Sequence, residues 1–366
     1  MIEFNSSPNP TIGVEIELQL VDKKTLDLKN ISSRVLADVD RKFTDKIKCE
    51  LVESMIEINT DICSDIDEVE KDIKQTLNHL EEILTNHSAD FNCTSLHPFA
   101  KGKNQIVSDN PRYKRIMKEL QIVGKNFISQ GLHVHIGIDD REKAMQVNNT
   151  LRIYLPLLLA LSTSSPFFEG EDTGLHSYRT KLFEALPLAG MPDYLKDWSH
   201  FVQLTEQLQR AGIIKSVKDL WWDVRPHPGF GTVEIRVCDI PINIKAILAL
   251  VALIQALVVK IKKENFYSGT HIQILQSNKW QAARYGLEGV FVDPITYKKL
   301  NMKKAINNLC KYVESSSTFL GSSKYIKIIK EILIQGTGAS KQRELYNSSN
   351  NYEYMLQYLK KIFYAQ

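Results

Sequence analysis

The stretch Gly13-Val14-Glu15-Ile16-Glu17-Leu18 alternates apolar and acidic side chains, as a β-strand with two unlike faces does. Residues two apart in a strand point the same way, so Glu15 and Glu17 share one face while the apolar residues between them enter a core. Three more stretches repeat this pattern: Glu53-Ser54-Met55-Ile56-Glu57-Ile58-Asn59, His133-Val134-His135-Ile136-Gly137 and Thr232-Val233-Glu234-Ile235-Arg236-Val237. The sequence therefore predicts a sheet with one apolar face and one face rich in carboxylate and imidazole groups.

The polar face of this sheet predicts a site for a divalent cation. Two carboxylates about 5 Å apart repel each other by roughly 3 kcal/mol at an effective dielectric constant near 20. Without cations, a face that gathers several of them would be unstable or partly protonated. The acidic members are Glu15, Glu17, Glu53, Glu57 and Glu234. For one strand alone, a solvated edge explains the charges equally well, and it is the repetition over four strands that favours metal.

Strands and helices follow one another along the chain without a tandem repeat or a low-complexity linker. The patterns predict strands over residues 11–22, 49–60, 133–138 and 232–239, and a helix over 64–87. Long buried helices are predicted around 151–161 and 246–259, and residues 167–192 form a long loop that is a candidate lid. We expect a single catalytic domain over 1–366, with the core sheet within about 11–290. A helical C-terminal layer covers about 301–366 and breaks at Gly336-Thr337-Gly338.

Composition excludes several classes of protein. The net charge of +3 and the scattered lysines do not favour a nucleic-acid partner. The five cysteines include no CxxC pair, so we expect neither disulfides nor a structural zinc site, and a cytoplasmic location. The apolar stretch 246–259, about 14 residues, is too short for a membrane span, and no membrane partner is expected. Phosphate-loop, dinucleotide-binding, zinc-protease and hydrolase-elbow motifs are absent from the sequence.

Several blocks, in order along the chain, carry a resemblance to a known family. They include Gly131-Leu132-His133-Val134-His135-Ile136-Gly137, Asp172-Thr173-Gly174-Leu175-His176-Ser177-Tyr178-Arg179, Trp222-Asp223-Val224-Arg225-Pro226 and Ala282-Ala283-Arg284-Tyr285-Gly286. Together with the strand at 13–17, they make residues 11–290 resemble the type 2 glutamate–cysteine ligases, also called bacterial carboxylate–amine ligases. A weaker match covers 336–343. The resemblance implies an α+β fold like that of glutamine synthetase: an antiparallel β-sheet curved into a funnel, with helices packed on its convex face.

The same resemblance implies a reaction. ATP phosphorylates the γ-carboxylate of glutamate, and the resulting acyl phosphate passes its acyl group to an amine, with L-cysteine as the default acceptor. A carboxylate is a poor electrophile, so the phosphate supplies the leaving group that amide formation needs. The implied cofactors are ATP and Mg²⁺, with Mn²⁺ as an alternative because histidine is a less natural Mg²⁺ ligand than carboxylate. The implied partners are small-molecule substrates, and the family suggests a homodimer.

Roles for individual residues follow from the resemblance and the strand parity together. The expected metal ligands are Glu15, Glu17, Glu57, Glu234 and His133, with Glu53 as a further contributor. His135, Arg236 and Arg225 are the expected catalytic contacts: His135 with a phosphate, and Arg236 with the γ-phosphate or acyl phosphate, which a guanidinium matches bidentately. Arg179, Arg284 and Lys181 are candidate contacts for cofactor phosphates or substrate carboxylates.

Two other functions remain open at this level. A guanidino-kinase-like phosphotransferase would share the sheet and transfer phosphate to nitrogen. A catalytically silent protein of the same fold would bind metal and nucleotide without turnover. Plainer interpretations of single residues also remain: Arg236 pairing with Glu234 only to support the fold, and Cys238 packing as a small buried apolar group.

Overall fold

The computed structural model describes residues 2–264 and 269–364 and contains a large antiparallel sheet surrounded by helices. The strands are β1 (Ile12–Asp22), β2 (Ile47–Cys49), β3 (Met55–Asn59), β4 (Ala89–Asn92), β5 (Gly131–Gly137), β6 (Phe167–Phe168), β7 (Glu171–Asp172), β8 (Val224–His227), β9 (Thr232–Asp239), β10 (Val290–Val292) and β11 (Lys299–Asn301). The large sheet has the order β2-β3-β1-β5-β9-β8, and β4 also pairs with β1. Strands β6–β7 and β10–β11 form two small hairpin sheets.

Helices account for most of the remaining structure. They are α1 (Ser32–Ala37), α2 (Ile66–Asn86), α3 (Pro111–Leu120), α4 (Ile122–Asn126), α5 (Arg141–Ser162), α6 (Arg179–Glu184), α7 (Trp198–Arg210), α8 (Ile244–Lys263), α9 (Ile272–Tyr285), α10 (Met302–Tyr312), α11 (Glu314–Phe319), α12 (Ser323–Gln335), α13 (Gly338–Ser349) and α14 (Tyr352–Phe363). Helix α2 begins two residues after the predicted start, because the Asp65 carboxylate accepts a hydrogen bond from the Glu68 N–H and caps the first turn.

The apolar face of the sheet packs on helices. Val14, Ile16, Val134 and Ile235 are each at most 2% exposed and belong to one apolar cluster that extends to Phe363 near the C-terminus. Helices α2, α5 and α8 contact strands of this sheet. The predicted α+β architecture, with helices behind one face of an antiparallel sheet, is confirmed. The single domain over 1–366 stays a prediction.

Helix α8 is the most apolar helix of the described chain. It has 20 residues, and its most apolar 18-residue window has a mean hydropathy of 2.3, so by length and composition it could cross a membrane. However, 83% of its most apolar window is buried inside the protein, where it contacts α2, α5 and β5. The prediction of a buried helix at 246–259 is therefore confirmed, although the helix is longer than the predicted stretch.

The register of the central strands decides which polar side chains meet. Glu15 on β1 lies opposite Asn59 on β3 and His133 on β5, while Glu17 lies opposite Glu57. On the other side of β5, His135 pairs with Glu234 of β9. The polar residues predicted from parity on these strands therefore do share one face.

Some sequence predictions of local structure differ from the fold. The strand predicted over 49–60 is two shorter strands, β2 and β3, joined by a turn that contains Glu53. Strands β4 and β8 were not predicted, because each is only four residues long and β8 contains Pro226. The loop 167–192 contains the β6–β7 hairpin and helix α6. The predicted break at 336–338 is confirmed, since α12 ends at Gln335 and α13 begins at Gly338.

Candidate active site

A cavity of about 740 Å³ lies on the polar face of the sheet. Strands β1, β3, β5, β8 and β9 supply much of its wall, and side chains from α3 and α6 also line it. At one end the rim carries Ile62 and Phe230, which are 82% and 60% exposed. Another part of the lining consists of buried apolar side chains, such as Leu51 and Phe183, which belong to one apolar cluster. We call these the open rim and the closed end.

The first acidic cluster in the cavity consists of Glu15, His133 and Glu234. One possible ligand atom from each residue lies within 4.8 Å of the others. The Glu15 carboxylate also bridges two imidazoles, with Oε2 at 3.2 Å from His133 Nδ1 and Oε1 at 3.2 Å from His135 Nε2. Strand register thus assembles carboxylate and imidazole donors from β1, β5 and β9 at one point.

The second acidic cluster consists of Glu17, Glu50 and Glu57, whose ligand atoms also lie within 4.8 Å of one another. Burial raises the pKa of Glu50 to about 7, and the Glu17 carboxylate adds to the effect. Burial and the charges of Glu15 and Glu50 also hold the pKa of Glu57 well above its usual range. Glu50 and Glu57 therefore resist ionisation until positive charge reaches them.

Both clusters fit divalent cations. Carboxylates dominate the donor set and one imidazole joins it, which suits Mg²⁺ and also admits Mn²⁺. The buried Nε2 atom of His133 has no hydrogen-bond partner in the described part of the chain, and it lies 3.9 Å from Glu17 Oε1, between the two clusters. A buried imidazole nitrogen that faces carboxylates and has no hydrogen-bond partner is suited to bind a metal ion.

The two histidines differ in their preferred protonation. Burial lowers the pKa of His133, and the Arg236 guanidinium lowers it further, so the neutral ring can offer a lone pair. Burial acts in the same direction on His135, but the Glu234 and Glu15 carboxylates outweigh it and raise the pKa of His135. Residues two apart on β5 thus favour different roles: metal ligation for His133 and contact with an anion for His135.

Arginines hold Glu234 from two sides. The Arg225 Nε donates to Glu234 Oε2 at 2.7 Å, and Arg236 Nη1 donates to Glu234 Oε1. Although burial of Glu234 would raise its pKa, these guanidiniums keep the pKa well below its usual range. Arg225 and Arg236 both line the cavity, so their guanidinium groups can neutralise an anion bound there.

Arg179 reaches the cavity from the N-terminus of α6. Its backbone N–H donates to Ser165 Oγ at 3.1 Å, and the residue as a whole is 2% exposed. Asp239, fully buried, accepts hydrogen bonds from Ser165 Oγ at 2.7 Å and Ser177 Oγ at 2.9 Å and lies 3.9 Å from Arg179 Nη1. These contacts tie the segment before α6 to the end of β9 and place Arg179 beside the acidic clusters.

Three of the predicted site residues lie elsewhere. Glu53 is in the turn before β3, and its carboxylate accepts hydrogen bonds from Ser32 Oγ at 3.1 Å and from the Ser33 N–H at 3.0 Å, at the start of α1. The prediction that Glu53 shares the polar face of the strand is wrong, because the strand begins only at Met55. Arg284 donates to the Gly174 carbonyl, and Lys181 pairs with Glu184 and lies over the Trp280 ring.

Other cavity residues were not predicted from the sequence. Glu50 lies just after β2, in a turn where no alternation marks its direction. His227 and Phe230 stack at the open rim, with ring centroids 4.1 Å apart. Tyr113 on α3 lies near Glu50, its hydroxyl 3.4 Å from Oε1. The Asn59 amide donates a hydrogen bond to Glu57 Oε1 at 2.8 Å.

Comparisons with known proteins bear on the family and the fold of this chain. The family model described as glutamate–cysteine ligase family 2 matches residues 11–360. A Gloeobacter violaceus protein named "Putative glutamate--cysteine ligase 2" is 38% identical over 357 residues, covering 96% of each chain. Similar solved structures include glutamate–cysteine ligase from Francisella tularensis in complex with AMP (TM-score 0.74, 17% identity, 98% of this chain and 89% of that one). A bifunctional glutathione synthetase from Pasteurella multocida has a TM-score of 0.71 at 15% identity, over 96% of this chain and 52% of that one.

At these identities the solved structures establish the shared fold alone, whereas the family model and the Gloeobacter relative span nearly the whole sequence. The resemblance found in the sequence motifs is therefore confirmed, and the chain belongs to glutamate–cysteine ligase family 2, as a carboxylate–amine ligase of that type.

Proposed function

We propose that this protein uses ATP to phosphorylate the γ-carboxylate of glutamate and then forms a γ-glutamyl amide with an amine. The observation that carries the proposal is the pair of adjacent acidic clusters, Glu15–His133–Glu234 and Glu17–Glu50–Glu57, flanked by buried arginines in one cavity. Phosphoryl transfer asks a protein mainly for positioning and charge neutralisation, and this arrangement supports both. The AMP in the Francisella structure supports a nucleotide as the phosphate source.

The proposed reaction has two steps. A glutamate γ-carboxylate oxygen attacks the γ-phosphorus of ATP, the bond to the β-phosphate breaks, and ADP leaves. The amine nitrogen then attacks the acyl carbon of the γ-glutamyl phosphate, the bond from carbon to the phosphate oxygen breaks, and the phosphate leaves with the proton lost by nitrogen. L-cysteine, the amine in the names of the relatives, is the first acceptor to test.

The chain's own residues have distinct tasks in this scheme. Glu15, Glu17, Glu50, Glu57, Glu234 and His133 would hold Mg²⁺ or Mn²⁺, which supplies charge neutralisation on the phosphate oxygens when bound. Arg236, held by Glu234, donates hydrogen bonds to the transferring phosphate, and a protonated His135 adds a further donor. Arg225 orients Glu234 through its 2.7 Å contact. Arg179 binds a substrate carboxylate from the opposite side.

A guanidino-kinase-like activity is the rival, and the products distinguish the two. The experiment measures ADP release from Mg²⁺-ATP and glutamate with and without amines, with product masses read alongside. Amine-dependent ADP release with a γ-glutamyl amide is the expected result. A phosphorylated amine without an amide would establish the kinase. ATP binding without turnover for any amine would establish a silent binding protein.

The expected cytoplasmic homodimer stays a prediction from the resemblance. Light scattering on the purified protein tests the dimer directly.

A further inference from the structure

The closed end of the cavity has a different chemistry from the rest of the site. Its wall is formed by apolar side chains from the loop after β2, from α3 and α6, and from the residues that follow α4 and precede β8: Leu51, Ile116, Leu120, Phe127, Phe183 and Trp221. Leu51, Ile116 and Phe183 are at most 8% exposed, and the Phe127 and Phe183 ring centroids lie 5.5 Å apart. An enclosed apolar wall with few polar groups is what binds the apolar part of a small molecule.

One positively charged side chain, that of Arg179, lies at the edge of this wall. Arg179 has its guanidinium carbon 5.4 Å from the centroid of the Phe183 ring, and Arg179 itself is 2% exposed. Its contacts are long, 3.9 Å from Nη1 to Asp239 Oδ1 and 3.5 Å from Nη2 to the Arg236 carbonyl. Its Nε is buried without a hydrogen-bond partner among residues 2–264 and 269–364. A guanidinium with spare donors in a buried position matches a carboxylate.

The closed end also adjoins the reacting groups. Tyr113 lines it, and the Tyr113 hydroxyl lies 3.4 Å from Oε1 of Glu50 in the second acidic cluster. Arg179 lies close to the backbone of Gly131, whose N–H donates to Glu17 Oε2 at 2.6 Å. A molecule bound against the apolar wall could therefore present an amine toward the second acidic cluster.

We infer that the closed end binds the acceptor as an α-amino acid whose side chain is apolar and larger than that of cysteine. Its α-carboxylate pairs with Arg179, its side chain packs between Ile116 and Phe183, and its α-amine attacks the acyl phosphate. This inference rests on the proposed function and specifies its acceptor. Each additional buried CH₂ group contributes about 0.8 kcal/mol, or roughly fourfold in selectivity. Leucine or phenylalanine should therefore exceed cysteine by about tenfold or more in kcat/KM.

The test compares acceptors under one assay of γ-glutamyl amide formation, with Mg²⁺-ATP and glutamate saturating. The panel contains cysteine, serine, leucine, phenylalanine and 3-methylbutylamine, which is leucine without its carboxylate. We expect leucine and phenylalanine to be the best acceptors. We expect 3-methylbutylamine to have a KM at least tenfold above that of leucine, because it cannot pair with Arg179.

Variants separate a binding role from a structural one. Phe183→Leu keeps an apolar side chain and should lower kcat/KM for phenylalanine several-fold more than for serine. Arg179→Lys should raise the KM for leucine and leave that for 3-methylbutylamine within about twofold. Ile122→Ala is the matched control, since Ile122 lies on α4 at 65% exposure, and it should leave the preference among acceptors unchanged.

The outcomes are distinct. Cysteine or serine as the best acceptor would overturn the inference and leave the ligase proposal standing. Amide formation whose acceptor preference does not respond to Phe183→Leu would also overturn it. If no acceptor yields an amide, the proposed function fails and the inference with it.

Discussion

Glu17 on β1 lies directly opposite Glu57 on β3, so two carboxylates are neighbours on the same face of an antiparallel strand pair. Like charges in this arrangement destabilise a sheet. The third acid, Glu50, lies within reach of both. The three carboxylates stabilise the fold only when a cation binds among them. The first two predictions depend on this requirement for a cation.

Loss of one cluster carboxylate should abolish most of the activity while the fold persists. Glu57→Gln and Glu234→Gln each remove a charge with little change in shape, and we expect each to lower kcat about a hundredfold or more, as the loss of transition-state charge stabilisation does. Steady-state ADP release with circular dichroism as the check on folding measures this. Glu53→Gln is the matched control, because Glu53 hydrogen-bonds to the start of α1. Equal losses in Glu53→Gln and Glu57→Gln would contradict the assignment.

The metal-free protein should lose stability as the pH rises through the range in which Glu50 ionises. The pKa of Glu50 is about 7 in the fold and about 4.3 in the unfolded chain, so the unfolded state releases this proton first. Between these values the folded state binds more protons, and the free energy of unfolding falls as pH increases. From pH 5.5 to 7.5 the fall attributable to Glu50 is about 2 kcal/mol.

Urea unfolding in EDTA at both pH values, compared between wild type and Glu50→Gln, isolates this contribution. The variant lacks the titrating group, so its free energy of unfolding should change less over the interval. Added Mg²⁺ or Mn²⁺ should stabilise wild type more at pH 7.5 than at pH 5.5, because the ion binds the ionised acids. Parallel pH dependence in the two proteins would show that Glu50 does not titrate in this range.

The buried pair of Arg225 and Glu234 should be strongly coupled. Both residues are at most 6% exposed, and Arg225→Met leaves the Glu234 carboxylate with fewer partners. We expect a loss of about 3–5 kcal/mol in the free energy of unfolding. Adding Glu234→Gln should recover part of this loss, since the carboxylate no longer needs a counter-charge. Denaturant unfolding of the single and double variants gives the coupling energy, expected at about 1–3 kcal/mol.

An exposed ion pair provides the comparison. Arg210 pairs with Glu206 on the surface of α7, where the Arg210 side chain is 77% exposed. Arg210→Met should change the free energy of unfolding by less than about 1 kcal/mol. A similar loss in Arg225→Met and Arg210→Met would mean that burial of the Arg225–Glu234 pair has no energetic consequence.

The sequence predicted the part of the site that strands encode. Alternation fixes which face a residue joins, so Glu15, His133 and Glu234 could be placed together before any coordinates. It could not place Glu50 at the site, because Glu50 lies in the loop after β2. It also placed Glu53 wrongly on the polar face, because β3 begins two residues later, at Met55. The alternation of side chains predicts which face a residue joins only inside a strand. In a turn, the backbone dihedral angles determine where a side chain points.

Arg179 shows a second limit of the sequence. The sequence motif that contains Arg179 was recognised, but the position of its side chain depends on Asp239, which is 60 residues farther along the chain. The Asp239 carboxylate accepts hydrogen bonds from Ser165 and Ser177. Local sequence patterns do not predict such a buried network of polar side chains. The same holds for the apolar closed end, whose wall comes from several separate segments of the chain.

Gly131 should control the position of Arg179. A Cβ atom at this position would lie 2.3 Å from Arg179 Nη2, closer than these atoms can approach, and 3.0 Å from His133 Nε2, which is a tight contact. The crowded group is the end of a flexible side chain, so in Gly131→Ala the guanidinium should move while the strand stays paired. We expect the free energy of unfolding to change by less than about 1 kcal/mol. The KM for an amino-acid acceptor should rise about tenfold or more, because its carboxylate loses a bidentate partner.

A double-variant cycle separates this displacement from general damage to β5. If Gly131→Ala acts only by moving Arg179, then adding it to Arg179→Ala should raise the acceptor KM little further, giving strong non-additivity. Full additivity of the two effects would indicate that Gly131→Ala disturbs the site by another route, such as the 2.6 Å hydrogen bond from its N–H to Glu17. A lower affinity for Mg²⁺ in the variant would then accompany the loss, since Glu17 belongs to the second acidic cluster.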